Sequence, residues 1–555
     1  MTFQKISVIH FKDMLVSKRY FYLLVVLFLF NLVIFVGYLH VLYQTDGTWV
    51  YPLDDTYIHM QIAKNIAEQG YYGYTNYDFC SSSSSPLYTF VLAICNKLFG
   101  MSVLAPLILN VIFANVLVVV LFFFLKKRII PFLLMTLFLF SPVLLPVQVF
   151  SGMEHTMHIL LIITAYILIY NLINNNYTGK SKKALVMMCL FLCLTRYESM
   201  FFIVSLSFLL FLNKQYKLSV VIFLSGFLPV VLFGLFSLYH GGWFFPNSLL
   251  LKGNIDIDSN PFVLVFHYLS RILSYLRSTI LGLPLLLLLS FVVYDFRKRK
   301  MKYNEFIGTY SLIGVVLITI ILHLMFASFG LLFRYEAYLH TLLYLTIVLT
   351  FLNPDESFTF YSFKMMLKRK VVSFVLLPLI MILCLGIVYR AVAATRLVYY
   401  ASKNVYDQQI QMASFLKRYY NRAGVMANDV GAIQYFTNIK LLDLIGLTSN
   451  EICQLRLSLG NDWNLESYIN AHPQTLKEYP LIMVYDKWFD ISTKSDYERL
   501  GWIKTGELCI PNNFVCGDSN VSFYTSNRDE VKPMVVSLKE FKKDLPEGVI
   551  LIVYE

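Results

Sequence analysis

Charge is what this sequence has least of. Asp, Glu, Lys and Arg together make up 14% of the 555 residues, while 57% are apolar and 16% aromatic, and the mean hydropathy is +0.62. Soluble domains carry about 25% charged residues, so a soluble globule of this length is excluded and a bilayer is the expected solvent. Internal repeats, heptad arrays and long low-complexity tracts are also missing; the run Ser81 to Ser85 is the nearest approach to one.

Cysteine offers little chemistry. Cys95, Cys189, Cys193 and Cys384 sit inside apolar runs, where a thiol packs as a small hydrophobe. Only Cys509 and Cys516, in a polar loop containing Asn and Gly, are placed as candidates for a disulfide, which requires an oxidising compartment. Metal-ligand spacing is scarce as well. His59, His155, His158 and His323 form no H-x-x-x-H set within one segment, and His155 and His158 at i+3 lack carboxylate or thiol partners at ligand spacing. No cofactor is called for by the sequence, and a divalent cation is left open.

Basic residues outnumber acidic ones, 46 to 34, but they cluster in short groups beside apolar stretches. That pattern marks topology and gives no nucleic-acid surface. The first apolar segment, Tyr20 to Leu42, follows Lys12, Lys18 and Arg19. It is too long for a signal-peptide core and lacks an A-x-A-like end, so it reads as a retained anchor.

About 20 apolar residues span the hydrocarbon. Segments of that kind lie near 20–43, 102–125, 131–150, 156–172, 218–239, 276–294, 306–327, 336–353 and 371–391. Residues 184–212 carry Arg196 and Glu198 at their middle and read as two short helices meeting at an outer turn, which brings the expectation to eleven crossings. The stretch 86–99 is too short to cross and reads as re-entrant or interfacial. Under this count the clusters Lys5/Lys12/Lys18, Lys126/Lys127/Arg128, Lys180/Lys182/Lys183, Lys214/Lys217, Arg297 to Lys300 and Lys364/Lys368/Arg369/Lys370 all fall on the cytoplasmic side. The expected fold is therefore mainly α: a polytopic transmembrane module, 1–391, with its first outer loop at 44–101. An extracytoplasmic α/β domain, 392–555, follows on the outer side. Strand-like runs at 424–428, 440–445, 481–485 and 548–554 alternate there with helical patterns such as Val405 to Tyr420.

The chemistry-capable residues gather in the outer segments. The first loop reads Y-P-L-D-D-T-Y-I-H from Tyr51 to His59, with Ile58, Ile62 and Ile66 at i+4 spacing and Gly70 as a stop. This is an amphipathic helix with Asp54 or Asp55 at its N-cap, expected to lie on the membrane surface. Paired carboxylates there are either a cap plus a solvated charge or a base able to take a proton from an acceptor hydroxyl. Gly70 to Tyr88 is rich in tyrosine, which suits a membrane interface or a sugar-stacking surface. Later outer segments add Ser151 to His155, Leu194 to Glu198, Gly241 to Lys252, Leu331 to Tyr335 and Asn428 to Leu447. Arg196 and Glu198 can satisfy each other as an ion pair, and Lys252 and Arg334 can serve as interfacial anchors. Asp429 and Asp443 suit turns or caps. An ionisable group near membrane depth is nonetheless a functional candidate by default.

In chain order, Asp54/Asp55, Ser84-Ser85-Pro86-Leu87-Tyr88, Ser151 to Glu154, Leu194 to Glu198, Pro246-Asn247-Ser248 with Lys252, Arg334-Tyr335, and Asp429 through Tyr435 with Asp443 and Gly446-Leu447 resemble the motifs of bacterial GT-C-class glycosyltransferases. The pattern is similar to the mycobacterial terminal β-arabinofuranosyltransferase family and spans nearly the whole chain. Tyr88 stands where that family has Trp, Tyr197 where it has Pro, and Asn428 where it has a small residue, so the sugar is not carried over.

The resemblance implies a transferase taking a sugar from a polyprenyl-phosphate-linked donor to a cell-envelope glycan or lipid acceptor, with inversion. The setting is a bacterial cytoplasmic (inner) membrane, with the N-terminus cytoplasmic, the C-terminal domain periplasmic or extracellular, and membrane lipids as partners. It implies Asp54, with Asp55 and Glu154, as catalytic carboxylates, and Lys252, Arg334 and Arg196 at the donor phosphate. Tyr57, His155, Glu198, Asn247 and Tyr335 are implied in substrate binding. The competing expectations are a transporter or flippase for lipid-linked saccharides, an assembly subunit, and a protein O-glycosyltransferase. A transporter is expected to show inverted repeats and mid-membrane ionisable residues in paired broken helices, and the sequence has neither.

Overall fold

The computed structural model describes residues 3–125, 128–174, 179–252, 261–276, 280–330, 332–352, 370–460 and 463–555. Helices dominate up to residue 405. In order they are α1 (Phe3–Gln44), α2 (Asp55–Gln69), α3 (Pro86–Phe99), α4 (Ala105–Leu125), α5 (Ile129–Phe140), α6 (Leu145–Phe150), α7 (His155–Ile173) and α8 (Gly179–Thr195). They continue with α9 (Ser199–Leu212), α10 (Tyr216–Tyr239), α11 (Asn247–Lys252), α12 (Pro261–Leu276), α13 (Gly282–Arg299), α14 (Tyr303–Phe326), α15 (Ala337–Phe351) and α16 (Lys370–Val405).

Among the described residues, six stretches are long and apolar enough to cross a membrane: Arg19–Gln44, Ala105–Leu125, His155–Ile173, Tyr216–Tyr239, Ile307–Phe326 and Met381–Tyr419. Four shorter apolar helices, α3, α5, α9 and α15, lie among them. The outward faces of these helices are apolar too: Phe21, Leu24 and Phe28 on α1, and Leu224, Leu228 and Leu232 on α10, are exposed. In water such a belt would drive aggregation, whereas hydrocarbon covers it at no cost.

Three local expectations meet different outcomes. Residues 184–212 form α8 and α9 around a turn that holds Arg196 and Glu198, as the charges at their middle require. The segment 131–150 is two helices instead of one. Pro142 and Pro146 cannot donate backbone hydrogen bonds, and the chain turns between α5 and α6 with Leu144 in the left-handed region at φ 58°. The surface placement of α2 is also corrected. Its Ile58 and Ile62 pack on the C-terminal domain, Ala63 packs with Tyr88 and Leu92 of α3, and Tyr57 and Met60 join the core of the helical module. The helix therefore lies buried between layers, ending at Gly70 with φ 68°.

α16 runs unbroken through the expected boundary at 391/392, continues through a wider π turn at Tyr406–Ile410, and passes into α17 (Gln411–Tyr419). A six-stranded mixed sheet follows, in the order β2-β1-β3-β5-β4-β6. The strands are β1 (Gly424–Ala427), β2 (Lys440–Asp443), β3 (Leu481–Val484), β4 (Ile503–Cys509), β5 (Asn520–Thr525) and β6 (Ile550–Val553). β1 pairs parallel with β2 and β3, and the remaining pairings are antiparallel. Side chains alternate across a strand, so Val425 and Ala427 meet Phe415 and Leu416 of α17 on one face. Met426, Ile482 and Val484 meet Ile452, Leu465 and Trp502 on the other. Both faces are covered, which is why these central strands are almost wholly apolar.

Candidate active site around Glu154 and Arg334

The turn Ser151 to Glu154 is the site's anchor. Gly152 has φ +68°, and a Cβ there would stand 2.5 Å from the Tyr51 ring and 2.7 Å from Thr56 Cγ2, so only glycine lets the turn close on the start of α2. Its backbone is held from three directions. Thr56 Oγ1 donates to the Ser151 carbonyl at 2.7 Å, Tyr88 hydroxyl to the Gly152 carbonyl at 2.9 Å, and Asn110 Nδ2 to the Met153 carbonyl at 2.9 Å. First loop, α3 and α4 thus fix the residue that follows, Glu154, whose side chain is fully buried.

Around Glu154 the charges converge. Arg196 donates to Glu154 Oε1 at 2.6 Å and grips Glu198 with two further nitrogens, Nε at 3.0 Å. His59 Nε2 stands 3.5 Å from Glu154 Oε2, and its Nδ1 bonds Ser83 Oγ at 2.9 Å. Burial lowers the His59 pKa below its ordinary value, against the opposing pull of Glu154, and keeps the ring neutral. Arg334, 1% exposed, donates from one terminal nitrogen to Asp55 at 2.7 Å and to the Tyr335 hydroxyl at 2.9 Å, and from the other to Met153 Sδ at 2.6 Å. The Tyr335 ring lies 5.3 Å from the Arg196 guanidinium and 4.9 Å from that of Arg334, so it separates the two cations. His155 faces the same ring edge-on. Arg334 Nε and His155 Nε2 are buried without a protein partner among the described residues. Asp55, at the first position of α2, keeps a quarter of its side chain exposed.

The two adjacent aspartates part company. Asp54 does not cap α2; its carboxylate accepts from the backbone N–H of Gly431 at 2.5 Å and of Ala432 at 2.7 Å, at the start of α18 (Gly431–Phe436). A Cβ on Gly431 would strike the Asp54 carbonyl at 2.2 Å, so this close approach depends on glycine. Asp54 therefore latches the first loop to the C-terminal domain; it stands at the expected N-cap position of α2, but its carboxylate caps α18 instead. Burial and then the charge of neighbouring Asp429 raise its pKa well above the ordinary 3.8. Asp429 in turn accepts from the Tyr485 hydroxyl at 2.7 Å and Gln409 Nε2 at 2.6 Å. Burial and Asp429 push the Tyr485 hydroxyl up, so it stays a neutral donor.

The sign of the resulting pH effect follows. Above pH 3.8 the folded chain holds the Asp54 proton more tightly than the unfolded chain, so this pair's contribution to stability falls as pH rises through the folded pKa. Asp429→Asn removes the opposing charge. Its melting temperature at neutral pH is expected to exceed that of the parent, with a flatter decline as pH rises above 3.8, measured by thermal unfolding in detergent. An unchanged pH profile would mean that the two carboxylates do not oppose each other.

The remaining expected residues divide. Glu154, His155, Arg196, Glu198, Arg334 and Tyr335 come together with Asp55. Tyr57 does not; it is fully buried against Tyr435 and Phe436, its hydroxyl accepting from the Tyr51 N–H at 3.2 Å, and it belongs to the core. Asn247 is a tether and lies away from the charge cluster. Its N–H donates to the Ser81 carbonyl at 2.9 Å and its Nδ2 to the Gly446 carbonyl at 3.1 Å, joining first loop, α11 and C-terminal domain. Lys252 ends α11, and its side chain lies outside the described residues. Asp443 closes its own turn, accepting from the N–H of Ile445 at 2.8 Å and of Thr448 at 2.7 Å. Cys509 and Cys516 are free thiols, so the candidate disulfide is not formed. Among the described residues no group of three or more His, Cys, Asp and Glu side chains is placed to hold a metal ion. The sequence reading did not place His59 in the site. Its signal was its position four residues after Asp55, one turn along the same helix face.

A domain of unknown function, DUF8728, matches residues 401–524, which hold α17 and β1 to β4 and reach into β5. No curated protein matches the chain. Among solved structures it is similar to ArnT from Cupriavidus metallidurans bound to undecaprenyl phosphate, at 10% identity and a TM-score of 0.49, over 90% of this chain and 98% of that one. It is similar also to the oligosaccharyltransferase of Archaeoglobus fulgidus in the apo form, at 11% identity and 0.48, over 94% and 76%. A further likeness is to AglB from Archaeoglobus fulgidus in complex with an inhibitory peptide and a dolichol-phosphate, at 11% and 0.44, over 94% and 75%.

Proposed function

We propose that this chain is a GT-C-type membrane glycosyltransferase that moves a sugar from a polyprenyl-phosphate donor to a cell-envelope glycan or lipid acceptor, with inversion. The observation that carries the reading is the Asp55–Arg334 pair beside Tyr335 and Arg196. There a partly exposed carboxylate pairs with a buried guanidinium whose Nε–H has no partner among the described residues. The ordered motifs of the sequence support the same class.

Asp55 is the base this geometry favours over Asp54. The start of α2 stabilises its negative charge, and it pairs with a guanidinium that a phosphate would also bind. When the donor phosphate takes the Arg334 guanidinium, the hold of that cation on Asp55 weakens and Asp55 gains basicity. It then removes the acceptor hydroxyl proton as the acceptor oxygen attacks the anomeric carbon. The bond from that carbon to the phosphate oxygen breaks, its electron pair leaves with polyprenyl phosphate, and the proton rests on Asp55. Cations aimed at the leaving phosphate stabilise this charge more in the transition state than before it. Arg334 takes that part, with Lys252 the second cation implied by the motif. Arg196, held by two carboxylates, orients Glu154 and Tyr335. Eleven crossings, an outer C-terminal domain and a bacterial inner-membrane setting complete the proposal, supported by the one-sided basic clusters.

The test is release of polyprenyl phosphate from a labelled polyprenyl-phosphate sugar by the purified chain, together with lipid and glycan analysis of a deletion strain. Arg334→Met is expected to weaken donor binding by about 10- to 100-fold, the ~1.5–3 kcal/mol of a hydrogen bond to a charged group. A transporter or assembly subunit would release no polyprenyl phosphate.

A further inference from the structure

Farther along α2 from Asp55 lies a second hollow of about 520 Å³, lined by Gln61, Lys64 and Asn65 of that helix, Tyr77 of the first loop, and Arg422 and Gln434 of the C-terminal domain. Its size is that of a small-molecule site, but its walls are amides, charges and a phenol in place of hydrocarbon.

Its amides are not all satisfied. Gln61, 3% exposed, donates through Nε2 to Asn65 Oδ1 and to the Tyr74 carbonyl, both at 3.3 Å. Two acceptors on that nitrogen fix which way the amide points, and its Oε1 is left without a partner. Gln434, 5% exposed, has an unpartnered Oε1 as well. Buried acceptors without donors are costly, and hydroxyl groups supply donors. Tyr77 is 47% exposed, yet its hydroxyl donates to the Leu441 carbonyl at 2.8 Å and accepts from the Leu441 N–H at 3.1 Å. The ring is held in place and about half-exposed, with Lys440 Nζ 5.8 Å from its centroid, and an exposed ring is what stacking on a pyranose requires.

The charge balance selects further. Lys440 at the rim is paired with Glu478. Neither Lys64 nor Arg422 forms an ion pair among the described residues, and they stand against one lining carboxylate, Glu68.

We infer that this hollow binds a saccharide bearing an acidic group: hydroxyls on Gln61 and Gln434, a ring face on Tyr77, the acid on Lys64 and Arg422. Lys64 lies nine residues after Asp55 on one helix, about 14 Å at 1.5 Å per residue. If the transferase reading above holds, the hollow takes a distal unit of the acceptor glycan, and the binding itself does not depend on that reading.

The experiment titrates trigalacturonate, maltotriose and inorganic phosphate into the full chain in detergent, by calorimetry or saturation-transfer NMR. Trigalacturonate is expected to bind saturably and at least 10-fold tighter than maltotriose. Lys64→Ala with Arg422→Ala, two positions outside the core, should weaken it by at least 10-fold at unchanged melting temperature. Tyr77→Ala should weaken both saccharides. No saturable saccharide binding, binding indifferent to these variants, or inorganic phosphate bound as tightly as trigalacturonate would each overturn the inference. Trigalacturonate binding by a chain that proves inactive as a transferase would leave the saccharide site standing and remove only its link to an acceptor.

Discussion

Asp55→Asn is expected to lower sugar transfer by roughly 10²- to 10⁴-fold, the range for loss of a general base. A second signature separates this from simple damage to the site. Asp55 holds the Arg334 terminal nitrogen at 2.7 Å, so in the parent chain donor phosphate competes with it. Neutralising Asp55 weakens that competitor, and donor KM is expected to stay level or fall while kcat collapses. Removing the partner of a buried guanidinium also costs stability, so kinetics are read well below the variant's melting temperature. Asp54→Asn is the comparison, because its carboxylate meets the C-terminal domain through the Gly431 and Ala432 N–H groups. Its transfer rate is expected to stay within about tenfold of the parent, on a scale where lost bases cost far more. A near-normal Asp55→Asn beside an inactive Asp54→Asn would return the base to Asp54.

These neighbours show what the sequence could and could not reveal. Asp54-Asp55 at the head of an amphipathic segment is legible as a pair of carboxylates at a helix start. Which of the two faces the charge cluster depends on α18, whose first residue, Gly431, lies 377 residues after Asp54, and no local pattern encodes that approach. The same limit applies to α2 as a whole. Ile58, Ile62 and Ile66 advertise one apolar face, but Asn65 Nδ2 donates to the Gly73 carbonyl at 2.8 Å, so a polar face is buried too. In the sheet, β1, β2, β3 and β6 fall on apolar runs that the sequence displays. β5 (Asn-Val-Ser-Phe-Tyr-Thr) and β4, with its Lys504 and Glu507, hide among polar residues. There Ser522 and Tyr524 are satisfied by Asp486, at 2.7 and 2.9 Å, contacts that hydrophobic patterning cannot register. The arginines were legible by kind. Their division of labour was not, because Arg196 and Arg334 differ only in what surrounds them.

That difference predicts the second large effect. Arg196 lies between two carboxylates, with Glu154 fully buried and Glu198 nearly so, whereas Arg334 pairs with one carboxylate that water reaches. Arg196→Met keeps much of the side-chain volume but strands two anions in low dielectric. Breaking a buried pair in this way costs about 3–5 kcal/mol, so the variant is expected to melt far below the parent. Glu154→Gln in the same chain removes one stranded charge and should restore part of the loss; a double-mutant cycle with Glu198→Gln apportions the remainder. Arg196→Lys keeps the charge but not the planar fork that serves both carboxylates, and should fall between the two. If Arg196 instead takes the donor phosphate, Arg196→Met will keep the parent melting temperature and lose donor affinity. Stability and donor KM therefore move in opposite patterns for the two assignments, and measuring both on Arg196→Met and Arg334→Met decides which guanidinium frames the site and which one binds.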